Sequence, residues 1–482
     1  MRKKVLLINP RKGWRPPLGL LYVASYVRAA GYEVKVVEFI DEVFFPRGND
    51  DLWGEIEHFS PDFIGLGVIS WNRRVAGEII ARLKRLLPAA ILFCGGKDPT
   101  FKPAAYFDFG VDYVVHGEGE QSCVRLLDAL NAGEEVLAIK GLYLLSNGEL
   151  VNTGKSEPVP VTNLLYPAFE LVDYDHYCDI RLGGIPGHFV RTGFLMANRG
   201  CPFKCRFCTD PIRNIYRERP IEDIIAEIKW QIDNWQIKGL VLLDDLFYFS
   251  DSRVSEFCNR ILEEGIRLKL YAQTRVDRIG SKETLALMAK AGFIQLALGV
   301  ESGSQRMLDI MNKGTRLSQI VKAIADINEA GIYTYAFLII GFPEETENDL
   351  QLTEKFLQQV KPTFAAVNYF MPMPGTEYYN AEDEENLLDL SYSLTENQQQ
   401  FHSPLPKEKI IEYRGRFLAA VQRSADLNLL RYPAFYLWIA KLFLFSPTVI
   451  FRGIVQQWHK QTYTSYFDAV RTSMINYRIY RR

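Results

Sequence analysis

Six histidines in 482 residues and a net charge of −2 are low counts for a chain of this length. The near-neutral balance gives no case for nucleic-acid binding, which relies on a basic face. Long apolar runs are missing too. The stretch after Met1-Arg2-Lys3-Lys4 is too short for a signal core and reads as a first strand, Val5–Ile8. The run 433–451 is broken by Lys441 and Pro447, so a spanning helix is not expected. Seven cysteines form no disulfide framework and fit a reducing, cytoplasmic setting. What remains, 48% apolar and 24% charged, is ordinary for a globular protein, and the length calls for about two to four domains.

Three of those cysteines are gathered in Asn198-Arg199-Gly200-Cys201-Pro202-Phe203-Lys204-Cys205-Arg206-Phe207-Cys208. Cys201, Cys205 and Cys208 are spaced C-x3-C-x2-C, and the next cysteines are Cys178 and Cys258. Cubane iron–sulfur clusters ordinarily take four cysteines, so three on one loop leave one iron open. A structural zinc site would want four ligands in closely spaced pairs, and His188 offers no such pairing. The spacing, with aromatic Phe207 before the last cysteine, resembles the signature of the radical S-adenosylmethionine (SAM) superfamily. That resemblance implies a [4Fe-4S] cluster held by Cys201, Cys205 and Cys208, with SAM chelating the open iron. Together with later motifs it covers roughly residues 190–380.

Residues 1–135 alternate strands and helices. Val5–Ile8, Val34–Phe39, Phe63–Ile69, Ala90–Cys94 and Val111–Val115 read as strands. Helices are expected near 19–30, with Leu20, Val23, Ala24 and Val27 on one face, and near 121–130. The pattern predicts an α/β, doubly wound (Rossmann-like) sheet with ligands at the carboxyl ends of its strands. Loops there carry Pro16-Pro17-Leu18-Gly19-Leu20, Ser70-Trp71-Asn72, Gly95-Gly96 and Gly117-Glu118-Gly119-Glu120. These segments resemble the cobalamin-binding domain that precedes the core in one radical SAM subfamily. The resemblance implies contacts from Ser70, Gly95, Gly96, Gly117 and Glu118, with the 9–19 loop under the corrin. Many cobalamin domains place Asp-x-His-x-x-Gly after the first strand; here that loop has no histidine, and His58 and His116 stand in other contexts. This absence is usual in the subfamily.

A hairpin around Asn147-Gly148 and irregular, proline-spaced chain form an expected linker over 141–189, after a cobalamin-binding domain at 1–140. Six strand–helix units then predict a partial (β/α)6 TIM-type barrel over 190–380, with chemistry at the strand carboxyl ends. Its strands are read at Phe194–Asn198, Gly239–Asp244, Lys269–Gln273, Gln295–Val300, Tyr333–Ile340 and Ala365–Phe370. Asp244-Asp245, Arg275 and Glu301 fall at successive strand ends, where the family places its SAM contacts; each also reads as a structural ion pair. The segment Asn368–Thr376 matches the subfamily too, with Tyr369 or Met371 facing substrate or packing the barrel.

A C-terminal helical region is expected over 381–482. From Arg431 onward there are eight Lys or Arg against one acid, Asp468, a net of +7, among dense aromatics. That composition suits either a helical lid on the barrel or an interfacial segment on anionic lipid, on the inner membrane surface.

The resemblance implies a cobalamin-dependent radical SAM C-methyltransferase that acts on an unactivated carbon of a small molecule through a 5′-deoxyadenosyl radical and methylcobalamin. A flavodoxin or ferredoxin would be the electron donor. The alternative is a cyclase or rearrangement enzyme on a tetrapyrrole or polycyclic lipid. A methylthiotransferase is disfavoured, because Cys94, Cys123 and Cys178 are too scattered for a second cluster. A non-catalytic corrinoid sensor or electron carrier is the reading from another class, and it leaves an open iron without a use.

Overall fold

The computed structural model describes residues 3–13, 15–40, 50–162, 164–178, 190–209, 215–380 and 402–429. The aromatic, basic tail from 431 lies outside them. The described residues fall into two units, one of 3–178 with 198–227 and 372–380, the other of 190–197, 228–371 and 402–429.

The first unit is built on a seven-stranded sheet. Strands β1 (Lys4–Asn9), β2 (Glu33–Glu38), β3 (Phe63–Gly67), β4 (Ile91–Gly95) and β5 (Tyr113–Val115) run parallel in the order β2-β1-β3-β4-β5. Their inner residues, such as Val5, Leu6, Leu7 and Ile8, are buried on both faces, which is why they read as unbroken apolar runs. Helices α1 (Leu18–Ala29), α2 (Asp50–Phe59), α3 (Arg73–Leu86), α4 (Lys97–Phe101), α5 (Pro103–Phe109) and α6 (Glu120–Ala132) connect them. The buried face of α1 runs through Leu18, Leu21, Tyr22, Ala24, Ser25 and Val27; Ala24 and Val27 belong to the expected stripe, while Leu20 and Val23 are half-buried, a slight turn of the helix. Ser25 holds that turn by donating to the carbonyl of Tyr166 at 2.6 Å.

The hairpin expected as a linker continues this sheet. β6 (Leu142–Ser146) pairs antiparallel with β5, and β7 (Glu149–Asn152) with β6. Asn147 and Gly148 sit at φ 51° and 81°, the pair of left-handed residues that a two-residue turn needs. A short helix missed by periodicity, α7 (Tyr174–Cys178), pins the loop after β1: His176 meets the Gly13 carbonyl at 3.1 Å, and Lys12 pairs with Asp173 at 3.3 Å.

Chain order continues through β8 (Thr192–Leu195), β9 (Asn198–Arg199), β10 (Arg217–Glu218) and α8 (Ile221–Trp235). β9 and β10 form a two-stranded antiparallel ribbon. The second unit holds six parallel strands in the order β15-β14-β13-β12-β11-β8, namely β11 (Gly239–Leu242), β12 (Lys269–Arg275), β13 (Phe293–Glu301), β14 (Tyr333–Ile340) and β15 (Phe364–Tyr369) beside β8. Helices α9 (Asp251–Glu263), α10 (Lys282–Ala291), α11 (Gln305–Ile310), α12 (Leu317–Glu329) and α13 (Glu347–Val360) alternate with them. The sheet is therefore an open six-unit β/α barrel segment, as the periodicity predicts. Helix α14 (Lys407–Leu429) follows, tied by Lys409–Glu347 at 2.6 Å and by Arg414 donating to the Val367 carbonyl at 3.0 Å. Among the described residues no helix is long and apolar enough to cross a membrane.

One buried pair fastens α3 to the chain after β4. Arg73 reaches Asp98 through Nε at 2.6 Å and Nη2 at 2.8 Å, and Tyr106 donates to the same carboxylate at 2.6 Å. Removing Asp98 leaves the buried Arg73 guanidinium without its carboxylate. Asp98→Ala is expected to lower the unfolding free energy by about 3–5 kcal/mol, read as a fall in urea midpoint at unchanged m-value.

Candidate active site

In the first unit, the ribbon β9–β10 closes the loop that carries the cysteines. Cys205 is buried and Cys201 and Cys208 are half-buried, with the Cys208 amide donating to the Cys205 carbonyl at 3.2 Å. None of the seven cysteines is joined in a disulfide. Among the described residues, no three His, Cys, Asp or Glu converge as one metal ion would require. This is compatible with a cubane, whose irons are bound by one thiolate each. The residues fit that group: three thiols in 8 residues, partly open to solvent, on a loop closed at its base.

The loop is also held at its middle. Arg206 donates to Glu377 at 2.7 Å and lies 4.8 Å over the Tyr378 ring. The strap from which those residues come rests on the first unit: Gly375, at φ 90°, leaves no room for a Cβ, which would fall 2.6 Å from Phe101, and Lys102 lies 4.9 Å from the Tyr379 ring centre.

At the carboxyl ends of β3 and β4, Gly95 and Gly96 form a close crossing with the neighbouring strand. Gly96 has φ 113°, and a Cβ there would fall 2.3 Å from the Val68 carbonyl oxygen. Ser70 opens a short turn, Ser70–Asn72, between Ile69 and Trp71, which are 48% and 38% exposed. Large apolar side chains left in water at the ligand end of a parallel sheet, next to backbone without side chains, suit a flat ligand with apolar faces such as a corrin. His116 is buried, its ring 4.7 Å from that of Tyr143, and desolvation lowers its pKa. It packs under the hairpin.

Gly117 and Glu118 face the chain itself. A Cβ at Gly117 would lie 2.1 Å from Ser156 Oγ. Glu118 accepts from the Val159 amide at 2.6 Å and pairs with Arg217 and, at 3.5 Å, with Arg199. Arg199 also pairs with Glu120 at 2.6 Å. Burial opposes the charge on Arg199, but Glu120 beside it holds the guanidinium above its ordinary pKa.

In the second unit, Asp244 is buried just beyond β11 and Asp245 is exposed. Arg275, at the end of β12, donates to Asp277 at 2.9 and 3.2 Å and to the Lys313 carbonyl. Glu301, at the end of β13, accepts from Lys313 at 2.7 Å. Arg275 and Glu301 thus meet through Lys313, a residue that sequence pattern did not single out because it lies in the loop between α11 and α12. Glu301 has φ 62°, rare for a side-chain-bearing residue, and β13 breaks register against β14 there. A Cβ on Gly299 would strike both Lys313 Nζ at 2.5 Å and Glu301 Oε1 at 2.6 Å, so the glycine makes room for the pair. Strained backbone kept at a strand end is a mark of functional positions. Beyond β14, Glu345 is buried and accepts from the Gly341 amide at 2.7 Å; desolvation raises its pKa to about 8, partly offset by that amide.

Comparison with known proteins matches two stretches of the chain. The family model "B12 binding domain" matches residues 4–127, and "Radical SAM superfamily" matches 196–357. The chain therefore carries a B12 binding domain followed by a radical SAM domain. It is 29% identical over 419 residues, 86% of this chain and 87% of the relative, to an uncharacterized methyltransferase of Pyrococcus horikoshii. It is 27% identical, over 85% of this chain and 66% of the relative, to the anaerobic magnesium-protoporphyrin IX monomethyl ester cyclase of Cereibacter sphaeroides. Its fold matches the radical S-adenosylmethionine methyltransferase TsrM from Kitasatospora setae, solved with cobalamin and a [4Fe-4S] cluster, with a TM-score of 0.66 over 78% of this chain and 77% of that one at 20% identity.

Two outcomes follow from this geometry. Gly96→Ala, but not Gly54→Ala in α2, which meets nothing within 4 Å, is expected to weaken cobalamin binding in a spectroscopic titration. Glu345 keeps its proton in the folded state from its ordinary pKa of 4.5 up to about 8, where the unfolded chain has lost it, so the wild type loses stability as pH rises across that window. Glu345→Gln is expected to remove that loss, with a urea midpoint that gains on the wild type between about pH 5 and pH 8.

Proposed function

We propose that this protein is a cobalamin-dependent radical SAM C-methyltransferase acting on an unactivated carbon of a small molecule. The observation that carries the reading is the presence in one chain of a B12 binding domain and a radical SAM domain, in a sequence similar over 86% of its length to a methyltransferase. When bound, the cluster and SAM supply an organic radical and cobalamin supplies a methyl group. The chain's own part is to hold and orient. Cys201, Cys205 and Cys208 would bind three irons. Ser70, Gly95 and Gly96 would receive the corrinoid, while Asp244, Asp245, Arg275 and Glu301 would contact SAM. Lys313 fixes the last two by holding the Glu301 carboxylate and accepting the Arg275 guanidinium on its carbonyl.

A cytoplasmic setting, with flavodoxin or ferredoxin as electron source, belongs to the same proposal, as does contact of the +7 tail with anionic lipid. A second reading, ring closure on a tetrapyrrole without methyl transfer, is favoured by the similarity to the Cereibacter sphaeroides cyclase.

Anaerobic turnover of reconstituted, cobalamin-loaded protein with a reductant separates them. Cobalamin-dependent formation of both S-adenosylhomocysteine and 5′-deoxyadenosine is expected. Deoxyadenosine alone, across a panel of candidate acceptors, would favour cyclisation. Cys205→Ala is expected to lose the cluster absorbance and both products; a variant that kept them would overturn the ligand assignment.

A further inference from the structure

The Gly117-Glu118-Gly119-Glu120 segment reads from sequence as part of the cobalamin pocket, yet both carboxylates are committed elsewhere. Glu118 spends one oxygen on the Val159 amide and the other on Arg217 and Arg199. Glu120 takes the second arm of Arg199 at 2.6 Å. Arg199 and Arg217 are register partners in the β9–β10 ribbon. The ribbon has two residues per strand, too few to hold itself together, since even a longer isolated hairpin is marginal in water. Two guanidiniums facing each other across it would repel. Glu118 lies between them and neutralises the repulsion, and Arg217 adds a bond of 2.5 Å to the Val159 carbonyl. Under Arg199 lies the fully buried ring of Tyr22, 4.8 Å from the guanidinium carbon.

We propose that Glu118 and Glu120 are positioning residues for the iron–sulfur site rather than corrinoid contacts: they seat the base of the cysteine loop by holding Arg199 and Arg217. The function rests on the cluster reading above; the contact itself does not. Arg206, between Cys205 and Phe207, supplies the second fixing point through Glu377 and Tyr378. The three thiols are therefore carried by the same unit as Gly95 and Gly96, and that unit holds them by side chains of its own.

The test uses hydrogen–deuterium exchange on the full-length apoprotein, so it needs no loaded enzyme. Glu118→Gln and Glu120→Gln are expected to raise exchange by about tenfold in peptides spanning 198–209 and 215–218, with β1–β5 unchanged. Cobalamin affinity is expected to stay within about twofold of wild type. Arg199→Lys, which keeps the charge with fewer hydrogen bonds, is expected to fall between the wild type and Arg199→Ala. In reconstituted protein, the Glu120→Gln variant is expected to shift the electron paramagnetic resonance signal of the reduced cluster.

Unchanged exchange in the ribbon together with much weaker cobalamin binding would overturn the proposal and return both glutamates to the corrinoid. An equal rise across the whole unit, in both Gln variants and in Arg199→Lys, would overturn it in favour of a general fold contribution. A wild-type protein that bound neither cofactor would sink the functional reading while leaving the exchange result to be judged alone.

Discussion

Two buried glutamates, a buried arginine and a half-buried one meet in the first unit, and their neutralisation of one another is what allows a loop of three cysteines to begin and end there. Charges out of water are tolerated only in balance and with their hydrogen-bonding atoms occupied. Glu118, Glu120, Arg199 and Arg217 meet the first condition among themselves. The Val159 amide and carbonyl help with the second. A second buried pair, Arg219 with Glu227 at 2.7 Å, stands two residues further along the chain. The loop between Arg199 and Arg217 is thereby freed from stabilising its own ends, and its residues can be chosen for chemistry.

The second unit solves a similar problem with one residue that has no counterpart in the motif. Lys313 neutralises Glu301 and lends its carbonyl to Arg275, so that two strand ends are coupled through a loop. Gly299 is required there for space, and Glu301 adopts a left-handed backbone that the surrounding bonds enforce. Glu345 and Asp349, four residues apart, show how finely burial and partners divide carboxylates. Desolvation raises the Glu345 pKa; at Asp349 burial is outweighed by Arg306, Ser304 and Thr346, which hold the pKa well below the usual range.

Most strands, the parallel pairing of those joined by helices and the cysteine loop were legible because each depends on local pattern. Val5–Ile8 or Tyr333–Ile340 are apolar on both faces and announce themselves. The hairpin at Asn147-Gly148 was legible as a turn but not as a sheet edge, because the partner of β6 is β5, distant in sequence and linked by α6. α7 escaped notice, since five residues carry too little periodicity. The roles of Glu118 and Lys313 were hidden for a common reason: a charged residue in a glycine-rich loop looks the same whether it faces a ligand or another charge. Only the position of Arg199, 81 residues after Glu118, distinguishes the two.

The first unit is discontinuous in the chain, and this matters for how the protein is made. A ribosome that has released residues 1–178 has produced a sheet and its helices, with Glu118 and Glu120 already in place but without the cations that balance them. Arg199 and Arg217 arrive later, and the strap that holds Arg206 only after the six parallel strands of the second unit have been synthesised. The nascent N-terminal unit therefore waits with two unbalanced acids, accessible to water, until the downstream chain returns to cover them. Such late, long-range closure slows folding. It also means that assembly of the cysteine loop follows, rather than precedes, synthesis of the six parallel strands of the second unit.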